Sequence, residues 1–103
     1  RDINFTVENT ICKYIKKRDK EITQLVSNSE VVIVVGGKSS SNTAVLYQQC
    51  IALNQRSYWI QEPTEMQSRW FSKVQQVGIT GGTSTPRWML EKVRDEIEKL
   101  VSR

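Results

Sequence analysis

The chain has 103 residues, 38% of them apolar and 25% charged, with a formal net charge of +4. That size and balance predict one globular domain, residues 1–103, burying roughly two thirds of its unfolded surface. Histidine is absent, which argues against a self-contained hydrolase triad or a zinc site, and no apolar run approaches the roughly 20 residues that span a bilayer.

In chain order, Ile3, Phe5 and Val7 alternate as an extended start, and residues 9 to 28 carry a helical apolar stripe that Ser27-Asn28-Ser29 ends. Val31 to Val35 is continuously β-branched, as suits a parallel strand buried on both faces. Thr43 to Leu53 resumes helical spacing, with Leu46, Cys50 and Leu53 on one side. Arg56 to Ile60 reads as a short strand, Pro63 to Phe71 as a short helix, and Val74 to Thr80 as a further strand. Pro86 to Val101 is a final helix with Met89, Val93, Ile97 and Leu100 facing inward. Strands alternating with helices predict an α/β fold, a small parallel sheet of three to four strands flanked by helices.

The charge permits attraction to phosphates but does not point to nucleic acid. In KYIKKRDK, Lys13, Lys17 and Lys20 share one helical face opposite Ile11, Ile15, Ile22 and Val26, the pattern of a solvated helix. Trp59, Trp70 and Trp88 are irregularly placed and read as core or interdomain packing rather than a base-stacking platform. No nucleic acid and no membrane is expected as a partner. Cys12 and Cys50 are too few for a disulfide framework, and without a signal segment or an initiator methionine the chain reads as a reduced, cytoplasmic piece whose start lies upstream. Cys50 falls on the apolar stripe and reads as core.

Two segments repeat one another: VVGGKSSSN and GITGGTSTP each run from strand through a glycine pair and hydroxyl residues into a helix. The first contains Gly-Lys-Ser but is not a nucleotide-binding P-loop, because the glycine that the motif needs five positions earlier is Val32. In a parallel sheet both loops open at the carboxyl edge, each at a helix start where backbone N–H groups lack partners and the dipole is positive. Paired glycines allow close backbone approach, and the hydroxyl and amide side chains add neutral donors. One cap needs one hydroxyl. Three serines and an asparagine, Ser39 to Asn42, exceed that need, so the two loops read as an anion site.

TIC at residues 10 to 12, Arg18 six positions after the cysteine, VVIVVGGKSSSNT, and VGITGGTSTP before a helix, in this order and spacing, resemble the 4-hydroxy-3-methylbut-2-enyl diphosphate reductases, the IspH or LytB family. The resemblance covers nearly the whole chain and aligns with the last third of that enzyme. It implies a cytoplasmic enzyme of non-mevalonate isoprenoid synthesis, in which this chain is one of three similar α/β domains around a 4Fe-4S cluster. It further implies that Cys12 is the cluster ligand of this domain, and that Ser40, Ser41, Asn42 and Ser84 hold the diphosphate of the isoprenoid substrate. The implied reaction is a two-electron reductive dehydroxylation giving isopentenyl and dimethylallyl diphosphate, with electrons from a donor protein such as flavodoxin or ferredoxin.

The chain also departs from the family pattern. Members usually read Cys-x-Ala-Thr and later Arg-Gln, whereas Cys12 is followed by Lys13, Tyr14 and Ile15, and Arg18 by Asp19. The other two cluster cysteines, the substrate-contacting histidines and the catalytic glutamate of the family belong to the other two domains, so the 103 residues alone are expected to be inactive. The alternative is a stand-alone phosphate-binding α/β module without redox activity.

Overall fold

The run Val31–Val35 forms strand β2, and all five side chains are at most 1% exposed. In the computed structural model, which describes residues 3–9, 23–81 and 85–101, β2 is joined by β1 (Asn4–Asn9), β3 (Ser57–Ile60) and β4 (Gln76–Gly81). The four strands are parallel, in the order β1-β4-β2-β3. In register, Asn9, Gly81 and Val35 lie side by side, so β1, β4 and β2 end together at one carboxyl edge.

Alternation along β2 divides the core into two layers. Val31, Ile33 and Val35 pack with Val77, Ile79, Phe71 and with Leu90, Val93 and Ile97 of helix α2 (Arg87–Val101). Val32 and Val34 pack on the other face with Leu46 and Cys50 of helix α1 (Ser41–Leu53) and with Val26, which belongs to the helical residues 23–27. The connection into β2 and α1 therefore share one face, whereas the β3–β4 connection and α2 share the other. The chain steps one way across the sheet on the first face and back on the second, which keeps every crossover of the same hand.

The expected α/β architecture is present, with local differences. The segment expected as one helix from Pro63 to Phe71 is two 3-10 turns, Pro63–Glu65 and Ser68–Phe71, with Met66 and Gln67 extended between them. The break lets both Met66 and Phe71 reach the core, and the Glu65 carboxylate holds the first turn by accepting from the Gln61 and Glu62 amides, each at 2.6 Å. Leu53, expected on the buried stripe, is 54% exposed at the last turn of α1, where Asn54 diverts the chain. The Asn54 side chain donates to the Ser29 and Glu30 carbonyls and accepts from the Arg56 amide, tying the starts of β2 and β3 together. Of the tryptophans, Trp59 and Trp70 are half-buried, Trp70 stacking on Tyr58 at 4.1 Å, while Trp88 is 61% exposed. Of the helix expected over residues 9 to 28, Asn9 instead ends β1, residues 10–22 lie outside the described residues, and residues 23–27 are helical.

Candidate functional site

Neighbouring strands β2 and β4 send their following helices to opposite faces, α1 to one and α2 to the other. In an open parallel sheet, that divergence opens a crevice at the carboxyl edge, the place where ligands bind. The two glycine and hydroxyl loops leave the sheet at this point.

In the first loop, the Gly36 amide donates to the Ile60 carbonyl (3.0 Å) and the Ser40 amide donates to the Gly37 carbonyl (3.0 Å), closing a turn. Gly36 has no room for a side chain, since a Cβ would come within 2.7 Å of the Thr43 Cγ2 atom. Ser40 is the N-cap of α1, its hydroxyl oxygen accepting from the Thr43 amide at 3.3 Å. Capping uses an oxygen lone pair and leaves the hydroxyl proton to donate elsewhere. The amides of Gly37, Ser39 and Ser41 have no acceptor among the described residues. Ser41 and Asn42 are exposed and Ser40 is half-buried. The helix start thus presents unpaired N–H groups beside hydroxyl donors, with the positive end of the α1 dipole behind them.

Lys38 is held away from this concavity. Its ammonium donates to the Trp59 carbonyl at 2.6 Å and sits 4.9 Å from the Trp59 ring centroid, and its amide donates to Gln61 Oε1 at 3.1 Å. The Trp59 indole N–H donates in turn to the Gly36 carbonyl at 3.0 Å.

Thr85, just before helix α2, is tied to the end of β2. Thr85, 5% exposed, donates its hydroxyl proton to the Val35 carbonyl at 2.8 Å. Gly81 permits this approach, because a Cβ there would lie 2.9 Å from Thr85 and 3.0 Å from the Val35 oxygen. A recess of about 170 Å³ lies beneath, lined by Val35, Gly36, Gly37, Gln61, Thr85, Pro86 and Met89.

Of the residues expected at the site, Ser40, Ser41 and Asn42 come together at the start of α1, whereas Ser84 and Cys12 lie outside the described residues. Trp59 and Gln61 are the positions that sequence reasoning missed, whereas Thr85, expected among the neutral donors of the second loop, spends its hydroxyl proton on the Val35 carbonyl. Trp59 carried only a packing signal, and no local pattern reveals that it reaches a loop carbonyl.

Among the described residues there is no group of three or more histidine, cysteine, aspartate or glutamate side chains able to hold a metal ion. Cys50 is fully buried among apolar side chains, as its stripe predicts. Burial pushes its thiol from 9.0 up to about 12, so it stays protonated near neutral pH and does not act as a thiolate ligand. In the folded chain at pH 8, Cys50 should therefore escape iodoacetamide until urea unfolds the protein, as peptide mapping by mass spectrometry would read. The sign of the pH effect follows from the same shift: between pH 9 and 12 only the unfolded chain loses this proton, so stability falls as pH rises through that window. A urea midpoint that stayed constant from pH 8 to 11 in the protein, but not in Cys50→Ala, would contradict this.

Residues 1–98 match the family model described as LytB protein. Among curated proteins, the chain is similar to 4-hydroxy-3-methylbut-2-enyl diphosphate reductases. It is 40% identical to that of Chlorobium phaeovibrioides, over 91% of this chain and 32% of the relative. It is 39% identical to that of Aquifex aeolicus, over 91% and 32%, and 31% identical to that of Bacteroides thetaiotaomicron, over 97% and 35%. A solved structure of (E)-4-hydroxy-3-methyl-but-2-enyl diphosphate reductase, the terminal enzyme of the non-mevalonate pathway, superposes with a TM-score of 0.80 at 39% identity, over 91% of this chain and 34% of the other. The reductase structure from Plasmodium falciparum, 22% identical over 82% of this chain and 27% of the other, shares the fold with a TM-score of 0.71. The chain spans about a third of the length of the curated relatives it matches.

Proposed function

Because the chain belongs to the LytB protein family, we propose that it forms one domain of a 4-hydroxy-3-methylbut-2-enyl diphosphate reductase, in which it grips the substrate diphosphate and supplies one cysteine to a 4Fe-4S cluster. The observation that carries the reading is the set of unpaired Gly37, Ser39 and Ser41 amides gathered with the Ser40 hydroxyl at the start of α1. Each hydrogen bond to a charged group contributes about 1.5 to 3 kcal/mol, so a few such donors hold a diphosphate without an arginine clamp. Ser41 and Asn42 extend the donor set into solvent. Ser84 completes it from the second loop, whose flanking residues Gly81 and Thr85 are packed against the end of β2.

The residues fit a shared cluster rather than a resident one. Cys12 follows the end of β1 by three residues, a reach of about 11 Å at most, and β1 ends beside β4 at the same edge as both loops. Cys50 cannot substitute, because its thiol is buried and protonated. One thiolate from this chain therefore joins ligands from the remainder of a longer enzyme. When bound, the cluster would relay, one at a time from an external donor, the two electrons of reductive dehydroxylation, which yields isopentenyl and dimethylallyl diphosphate. The domain's own residues bind and orient: the loops fix the diphosphate end, so the rest of the substrate has a defined direction in which to extend. Flavodoxin or ferredoxin as electron donor, and a cytoplasmic setting, belong to the same reading. Among the described residues no helix is long and apolar enough to cross a membrane.

In a full-length enzyme containing this chain, Ser40→Ala, Ser41→Ala and Asn42→Ala should each weaken substrate binding about tenfold, the effect of losing one charge-assisted hydrogen bond. Unchanged affinity in all three would sink the site assignment. Residues 1–103 alone should assemble no stable cluster on anaerobic reconstitution, and stoichiometric iron and sulfide on a monomer would contradict the one-ligand role.

A further inference from the structure

The turn at Gly36 and Gly37 is held from one side by the edge strand β3, and we infer that Trp59 is a positioning residue that aims the anion loop. The inference rests on the diphosphate-binding reading of that loop. Both polar groups of the Gly36 backbone are engaged by β3: its N–H donates to the Ile60 carbonyl at 3.0 Å, and its carbonyl accepts the Trp59 indole N–H at 3.0 Å. The next amide but one, that of Lys38, donates to Gln61 Oε1 at 3.1 Å. Between them, the Gly37 amide has no acceptor among the described residues.

Peptide planarity turns these bonds into a direction. In a trans peptide the carbonyl oxygen and the following N–H point opposite ways, and no peptide among the described residues is cis. Drawing the Gly36 oxygen toward the Trp59 indole therefore points the Gly37 N–H away from β3. A glycine pair is otherwise the segment most able to turn that peptide over. A flipped peptide would present a carbonyl oxygen to the anion in place of a donor. The indole itself is steadied by Tyr47, with ring centroids 5.6 Å apart, and by the Lys38 ammonium, 4.9 Å from its ring centroid. Lys38 thus serves the site by bracing the tryptophan.

The test uses a full-length enzyme containing this chain and inorganic pyrophosphate, read by calorimetry and by the backbone amide resonance of Gly37. Trp59→Phe keeps an aromatic ring but lacks the N–H. It should bind pyrophosphate about tenfold more weakly than the parent, the loss of roughly one donor to a charged group. In the unliganded variant the Gly37 amide resonance should also be displaced, which a loss of global stability alone would not produce. Gln61→Ala, at an exposed position, frees the Lys38 amide without threatening the fold and should weaken pyrophosphate about threefold. If the parent binds pyrophosphate and both variants bind it equally well with an unmoved Gly37 resonance, the positioning role is overturned while the loop reading stands. If Trp59→Phe does not fold, Gln61→Ala decides by the same two readouts. If the parent itself shows no pyrophosphate binding, the loop reading fails and this inference with it.

Discussion

Cys12→Ser, introduced into a full-length enzyme containing this chain, should abolish turnover and lower the iron content, while pyrophosphate binding at the loops stays as in the parent. On the proposed reading, Cys12 supplies the domain's only thiolate to the cluster, and a serine hydroxyl is a poor replacement for a soft thiolate on iron. The comparison that gives the experiment its force is Cys50→Ala. Cys50 sits fully buried against Val32, Val34 and Leu46 with its thiol pushed up to about 12. Removing it should leave the cluster and the turnover of the folded enzyme intact and cost about 1 to 2 kcal/mol of stability through a small cavity. The two cysteines thus separate by readout, iron content for one and denaturant midpoint for the other. A Cys12→Ser enzyme that retained full iron and turnover would remove the cluster role and favour a phosphate-binding module without redox activity.

Gly36→Ala should be the most damaging single-methyl change at the site. Its new Cβ would lie 2.7 Å from the Thr43 Cγ2 atom and 3.0 Å from the Thr43 Cβ, and Thr43 is itself fully buried with no space to retreat. Overpacking of this kind typically costs about 1 to 3 kcal/mol. The displaced Thr43 carries the amide that Ser40 caps, so pyrophosphate affinity should fall along with stability. Thr43→Ala supplies the compensating change. The Thr43 hydroxyl has no hydrogen-bond partner among the described residues, so its loss breaks no bond, and the vacated volume relieves the closest contacts of the new methyl. The double variant should recover about 1 to 2 kcal/mol relative to the sum of the single variants, the coupling expected of residues in direct contact. Strict additivity in urea denaturation would show that the clash is relieved elsewhere.

What was legible in the chain followed from local periodicity and composition. The β-branched run Val31–Val35 reads as a strand buried on both faces because no position in it is polar, and that is how it packs. Spacing alone put Leu46 and Cys50 inside. The excess of hydroxyl residues after Gly36 marked a candidate anion site, and the helix behind them starts where the cap residue Ser40 places it.

Periodicity gives the face on which a side chain lies, but not what it reaches across a strand boundary. Leu53 falls on the buried stripe by spacing yet stands at a helix end where the chain turns into β3. The stretch after Pro63 had a helix-start signal, but the need to seat both Met66 and Phe71 in one core broke it into two turns.

The sequence by itself determined the α/β class, the strand buried on both faces and the cluster of hydroxyl and amide side chains in the first loop, because these depend on residue type and on spacing within one element. Only the tertiary structure decided how the loop is aimed. Trp59 reaches Gly36 because β3 pairs with β2 in the register that sets Trp59 beside Val34, and Thr85 reaches Val35 because β4 lies next to β2 with Gly81 opposite Val35. Strand order and register bring together residues 23 and 50 positions apart, and those separations leave no mark on local sequence pattern.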